Sequence, residues 1–420
     1  MFDHNRRQFL RATSALLGTA CACRVLAQDA PPVFAEQSGF EPECLFLTWR
    51  REPTTTMTVQ WIGDEAAGSD RPLWYAKRGS MEWRQAPPWS ARPFPMTEKR
   101  LFRVELEELE PDTDYQFRVG LDSAEKRFRT MPAKANDTIQ FVSGGDSGVG
   151  PHAENTNRLA ARQDPRFVVM GGDLAYCNGV DVNTFLKWLS AYATQAVDSQ
   201  GRLIPMLACI GNHEVRGGYG ATRAEAPFFY AIFDGLFTDT GYAALDFGDY
   251  MSLVLLDTNH TSPVAGEQTS WLSQTLSDRE DIPTLFVFNH VPSYPSFRPF
   301  AGSDGDPDTG VGNDSREHWT PLFERYNVDA VFEHHDHTFK RTHPLTNGHI
   351  DKKGIVYLGD GSWGKIRRPK TPAERPYLAV THEAYHLSLH RLEGKNRFHV
   401  ALSDTGQVVD ICRTRKRARG

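Results

Sequence analysis

The chain has 420 residues, 40% of them hydrophobic and 24% charged, which is material for one large or two ordinary cores and excludes a disordered chain. Its 47 basic residues are outnumbered by 53 acidic ones, which excludes a stable, sequence-independent grip on nucleic acid, since that grip requires clustered Lys and Arg.

Residues 1–27 read as a processing segment. Arg6-Arg7-Gln8-Phe9-Leu10 precede an uncharged run from Ala12 to Cys23, and Val25-Leu26-Ala27 form a small-residue cleavage site. That run is too short to span a bilayer. The adjacent arginines followed by Phe-Leu resemble a bacterial twin-arginine export signal, a route for proteins that fold, often around a cofactor, before export. An exported protein, periplasmic or extracellular, is the expectation. Removing the segment takes away Asp3, Arg6, Arg7, Arg11 and Arg24, so 43 basic residues face 52 acidic ones and the charge moves from -6 to -9. Of the six cysteines, Cys21 and Cys23 lie in this segment, and Cys44, Cys177, Cys209 and Cys412 are too few for a disulfide framework. Buried free thiols are expected, with a Cys177–Cys209 bridge left open. No later apolar run is long enough for a membrane span after processing.

From 39 to 132 the chain reads as short period-two strands broken by turns, such as Leu45-Phe46-Leu47-Thr48-Trp49, Met57-Thr58-Val59-Gln60-Trp61 and Tyr115-Gln116-Phe117-Arg118-Val119. No helical stretch interrupts them, which indicates an antiparallel β-sandwich. Leu109-Glu110-Pro111-Asp112-Thr113-Asp114-Tyr115 resembles the tyrosine corner of a fibronectin type III-like domain.

After Met131-Pro132 the rhythm changes. Ile139-Gln140-Phe141-Val142-Ser143, Phe167-Val168-Val169-Met170 and similar runs near 203–210, 251–256 and 284–288 are continuously apolar, as strands buried on both faces are. Helical patterns over 183–194 and 267–276 lie between them. The expectation is an all-β sandwich followed by an α/β domain over 137–412, a largely parallel β-sheet core flanked by helices. The stretch 292–316, rich in Gly, Pro, Asp and Ser, reads as a long loop, and 413–420 as a basic, solvated tail.

Nearly every strand of this second domain ends in a polar cluster: Gly145-Asp146-Ser147-Gly148, Gly172-Asp173-Leu174-Ala175-Tyr176, Gly211-Asn212-His213-Glu214, Asn289-His290 and His334-His335-Asp336-His337. In α/β folds ligands bind beyond the carboxyl ends of strands, so these clusters should meet in space. Carboxylate, imidazole and amide oxygen without cysteine suit borderline or hard ions such as iron, zinc and manganese. Seven donors exceed what one ion uses, so two ions bridged by a carboxylate are implied.

These motifs, DxG, GDxxY, GNHE, a strand-end His and HxH, in this order and behind a β-sandwich, resemble the purple acid phosphatases of the calcineurin-like metallophosphoesterase superfamily. The resemblance implies Asp146, Tyr176 and His337 on a first metal, Asp173 as bridge, and Asn212, His290 and His335 on a second. His213 would bind the phosphoryl group or protonate the leaving oxygen. A phenolate ligand implies Fe(III) in the first site, with Fe, Zn or Mn in the second. A metal-bound hydroxide would then attack a phosphoester substrate, most simply a phosphomonoester. A phosphodiesterase or a nucleotide or phospholipid hydrolase shares the same scaffold, and a surface-binding protein with a degenerate metal domain is the alternative of another class.

Two departures from the family pattern stand out. His334 occupies the place of a usual glycine, either turned away beside Asp336 or a backbone group, or crowding the pocket. The loop after His290 has no further histidine, which leaves Tyr294 and Arg298 as candidates to contact substrate. The remaining histidines read as structural, with His152 and His343 of interest for their places near the motifs.

Overall fold

The computed structural model describes residues 32–35, 39–64, 71–135, 138–300 and 307–415. The export signal read at 1–27, with Cys21 and Cys23, and the basic residues 416–420 lie outside the described residues.

Two four-stranded antiparallel sheets form the N-terminal part. One runs in the order Glu43–Thr48, Met57–Gly63, Arg100–Leu106, Ser90–Pro93, and the other in the order Arg84–Gln85, Leu73–Lys77, Asp114–Val119, Lys126–Arg129. The tyrosine corner is formed: the Glu110 N–H donates to the Tyr115 hydroxyl at 2.9 Å. Alternation fails in Met57–Gly63, where every residue is buried, because the face that would meet water meets the second domain instead. There the Gln60 amide donates to the Ile232 carbonyl at 2.9 Å, and the Arg103 guanidinium reaches Gln60 and Asp234. Trp49 packs edge-on against Phe167 and Phe247, so one apolar core runs through both parts.

The second domain corrects the expectation of one largely parallel sheet, because it holds two mixed sheets. The first has the order Met206–Ala208, Val168–Met170, Ile139–Gly144, His386–Glu393, Asn396–Ser403, Val408–Arg415. The second has the order Ala243–Phe247, Met251–Leu255, Thr284–Asn289, Ala330–Glu333, Tyr357–Asp360, Phe339–Thr342, Leu378–His382. The first is parallel from its Met206–Ala208 edge to Ile139–Gly144 and antiparallel beyond, and the second is parallel inside and antiparallel at both flanks. The three C-terminal strands of the first sheet are joined by tight turns and pair as hairpins do, which adds antiparallel strands to a parallel core. The last strand runs through Arg415, three residues into the stretch read as a tail.

Helices Pro151–Arg162, Val182–Gln195 and Glu267–Asp278 fall where the periodicity places them or, for the first, between two runs. Part of the expected loop is instead a helix, Pro307–His318. It contains two glycines, poor helix formers, and is anchored by buried Val311 and Ser315 and by Trp319 just beyond it. Among the described residues no helix is long and apolar enough to cross a membrane.

Candidate metal centre

The parallel strands of both sheets point their carboxyl ends at one place, and the chain must turn sharply there. Asp146, Asp173, Tyr176, His335 and His337 all take positive φ, between 53° and 71°. Such backbone costs about 1 kcal/mol or more per non-glycine residue, so strain is concentrated on the residues the sequence singles out.

The structure brings all seven together. Tyr176 Oη lies 3.2 Å from Asp146 Oδ1 and 2.9 Å from His337 Nε2, which is itself 3.1 Å from Asp146 Oδ1. On the other side His290 Nε2 lies 3.1 Å from Asn212 Oδ1, 3.3 Å from Asp173 Oδ1 and 3.0 Å from His335 Nδ1. Asp173 belongs to both groups: its carboxylate lies within 4.8 Å of His290 and His335, and within 4.8 Å of Asp146 and His337.

The donor set fits cations. His290 Nδ1 donates its proton to the Gly171 carbonyl at 2.8 Å, so Nε2 of the neutral ring is a lone pair facing an amide oxygen and a carboxylate oxygen. Three acceptors without a donor repel one another unless a positive charge lies among them. In the metal-free protein a proton fills that need. Burial lowers the His290 pKa, but Asp173 and Asp146 outweigh it and push it up to about 9. Burial likewise opposes ionisation of Asp173 and Asp146, yet the histidines around them hold both below the usual carboxylate range. Tyr176 is pushed well above its ordinary value by burial and then by the two carboxylates, so only a strong Lewis acid would hold it as phenolate.

His213 lies beside this group. Its side chain is 33% exposed, with Nε2 3.9 Å from Asp173 Oδ2. Burial lowers its pKa, with Asp173 opposing. Its ring packs on Tyr176 at 4.3 Å, and its Nδ1 is hydrogen-bonded to Asn178 Oδ1. Asn178 was not singled out in the sequence, although it follows Tyr176 by two residues. Glu214, the last residue of the Gly211-Asn212-His213-Glu214 cluster, accepts from the N–H groups of Asp173 (2.7 Å), Leu174 (2.7 Å) and Gly211 (2.9 Å). It ties the third strand end to the second. Burial, then Asp173, push its pKa up to about 8.

The open questions resolve locally. His334 turns away from the ligand pair: its Nδ1 bonds the Asn289 carbonyl at 2.9 Å, and its ring lies against Gly145 and Gly171. A Cβ on Gly171 would sit 2.0 Å from His334 Cε1, so the glycine missing from the last motif is compensated by glycines opposite. Asp336 is occupied elsewhere, accepting from the Phe297 N–H at 2.8 Å and from Arg298 at 3.2 Å. Arg298 also donates to the His335 carbonyl at 2.6 Å. Tyr294 is buried among Tyr357, Tyr377 and Phe300. Neither therefore takes the substrate-facing place considered for it, because both are committed to holding the 290–298 loop. His152 bonds Asp404 at 2.7 Å and stacks on Tyr385, and the His343 N–H donates to the Tyr377 carbonyl; neither joins the metal-ligand groups. Cys44, Cys177, Cys209 and Cys412 are free, which closes the question of a Cys177–Cys209 bridge.

Comparison with known proteins agrees with this geometry. Residues 42–134 match the purple acid phosphatase N-terminal domain, and residues 135–339 match the calcineurin-like phosphoesterase family. Purple acid phosphatase 23 of Arabidopsis thaliana is 27% identical over 370 residues, covering 75% of this chain and 78% of its own. Acid phosphatase type 7 of Mus musculus is 25% identical over 412 residues, 88% of this chain and 90% of its own. A purple acid phosphatase from yellow lupin (Lupinus luteus) seeds shares the fold, with a TM-score of 0.71 at 18% identity over 90% of this chain and 75% of its own. A purple acid phosphatase N-terminal domain directly ahead of a calcineurin-like phosphoesterase domain, together spanning 42–339, makes the chain a purple acid phosphatase-like metal-dependent phosphoester hydrolase with a binuclear metal centre.

Proposed function

We propose that this hydrolase acts on phosphomonoesters, with Asp146, Tyr176 and His337 holding one ion, Asn212, His290 and His335 the other, and Asp173 shared. The observation that carries the reading is the single buried carboxylate, Asp173, common to two buried groups of carboxylate and imidazole donors. Tyr176 Oη beside Asp146 and His337 offers a hard phenolate oxygen, which suits ferric iron on that side, with Fe, Zn or Mn on the other. When bound, such ions supply Lewis acidity toward phosphoryl oxygens and lower the pKa of water.

The chain's own groups do the rest. Asn178 accepts from His213 Nδ1 and fixes the ring, so that the protonated ring presents its Nε2–H to the leaving oxygen. A lowered pKa makes that proton easy to release. Glu214 holds the Asp173 and Asn212 segments in register through three backbone N–H groups, and His260, buried, pushed down to about 3 chiefly by burial and therefore neutral, packs at 5.6 Å on His290.

Metal analysis with a visible spectrum tests this. Two metals per chain and a charge-transfer band that vanishes in Tyr176→Phe are expected. An active, colourless, zinc-only enzyme would remove the iron assignment, and faster hydrolysis of bis-p-nitrophenyl phosphate than of p-nitrophenyl phosphate would move the substrate to diesters. The paired arginines at Arg6 and Arg7 support export, and retention of an Arg6→Lys, Arg7→Lys variant in the cytoplasm is the matching test.

A further inference from the structure

The segment after Tyr357–Asp360 carries Lys365, Arg367 and Arg368 at the rim of the metal centre. Its backbone is stitched to the segments bearing Asp146 and His337. The Trp363 N–H donates to the Gly145 carbonyl at 3.0 Å, the Gly364 N–H to the Asp146 carbonyl at 3.1 Å, and the Arg367 N–H to the His337 carbonyl at 2.7 Å. The approach is close enough to require glycine, because a Cβ at Gly364 would lie 2.1 Å from the Ser147 carbonyl oxygen.

This stitching sets Lys365 over the metal centre's tyrosine. Its ammonium lies 4.2 Å from the centroid of the Tyr176 ring, and its stem lies against Gly148, where a Cβ would come within 3.0 Å of Lys365 Cε. Lys365 and Arg367 are half-buried and Arg368 is exposed. None of the three forms an ion pair among the described residues, whereas Lys370 in the same segment pairs with Glu374 at 3.1 Å. A cation held by an aromatic face is positioned without being neutralised, so its charge stays available to an anion. It lies over the ring and not beside the hydroxyl, which faces Asp146 and His337. A phosphoryl group gripped on the hydroxyl side therefore leaves Lys365 to meet what that group is attached to.

We propose that Lys365 is an anion subsite for the leaving group, with Arg367 and Arg368 adding to its field. The preferred substrates are phosphomonoesters or anhydrides whose leaving group carries its own phosphate or carboxylate close to the scissile bond. The inference rests on the hydrolase reading given above. With pyrophosphate as probe, the oxygen of water bonds to one phosphorus, the bridging P–O bond breaks, and the bridging oxygen takes a proton and departs as orthophosphate.

The test uses the metal-loaded protein and compares kcat and KM for pyrophosphate with those for p-nitrophenyl phosphate. Lys365→Met raises KM for pyrophosphate about tenfold more than KM for p-nitrophenyl phosphate, and Lys365→Arg recovers most of that difference. The discrimination shrinks as salt is raised, and calorimetry shows weakened binding of non-hydrolysable imidodiphosphate in Lys365→Met. Equal KM changes for both substrates, or none, would overturn the subsite while leaving the hydrolase intact. A wild-type protein that hydrolyses neither substrate would overturn the hydrolase reading and the subsite with it.

Discussion

Lys340 and Glu333, a few residues from His335 and His337, bury charge in one way, and the metal centre buries it in another. The Lys340 ammonium and Glu333 carboxylate are 1% and 0% exposed and paired, Lys340 also reaches the Tyr294 carbonyl, and Glu333 accepts from the Ser293 N–H at 2.7 Å. Every charge there is balanced within the chain. Asp146 and Asp173 are as deeply buried, yet among the described residues no Lys or Arg pairs with either, and Asp173 faces two histidines and a backbone N–H, with no permanent cation to offset its charge. Burying unpaired charge costs several kcal/mol. A fold that does so at one place, on strained backbone, is built to have the balance completed from outside, whereas the Lys340–Glu333 pair only holds the fold together.

Opposite responses to mutation follow from that contrast. Asp173→Asn is expected to lower kcat by about a thousandfold or more and to reduce metal content, while in urea unfolding the metal-free protein loses only what the carboxylate shares with the His290 proton, less than a Lys–Glu pair contributes. Lys340→Met does the reverse: it leaves Glu333 buried and unpaired and destabilises by about 3–5 kcal/mol, while metal stoichiometry is retained. If both variants lose stability equally, the distinction between the two regions collapses.

A smaller effect separates catalytic from ligating groups inside the centre. His213→Asn should lower kcat by about a hundredfold with both metals retained. Because burial lowers the His213 pKa, activity that depends on its proton rises as pH falls through a value below the ordinary imidazole range. The pH profile of the variant should lack that limb. A limb that persists assigns the proton to another group.

The most modest effect reads the missing charge directly. The His290 pKa of about 9 lies above the ordinary 6.5. In the metal-free protein its proton thus stabilises the fold fully below pH 6.5, and this contribution is lost as pH rises through 9. Thermal unfolding of metal-free protein should therefore weaken across that window, while metal-loaded protein shows little slope. Identical slopes would mean that metal and proton do not compete for one place.

How much of this was legible in the sequence depended on the range of the interactions. Asp146, Asp173, Tyr176, Asn212, His213, His290, His335 and His337 each lie just past an apolar run and beside turn-forming residues, a signal carried by a few neighbours in the chain. The sandwich strands and the helices Val182–Gln195 and Glu267–Asp278 were legible for the same reason, through periodicity. The Pro307–His318 helix was not, because its glycine-rich sequence has no strong local preference and burial of Val311, Ser315 and Trp319 decides its form.

Residue order alone determined that donors for two cations follow the strands of an α/β domain behind a β-sandwich, since strand ends and donor chemistry are local properties. Only the tertiary structure decided that the domain has two mixed sheets, that His334 turns between Gly145 and Gly171, that Asn178 orients His213, and that Lys365 lies over Tyr176. Each of these depends on pairing between distant segments, and the free energy of such contacts comes from shared burial and backbone hydrogen bonds that exist only once both segments are in place.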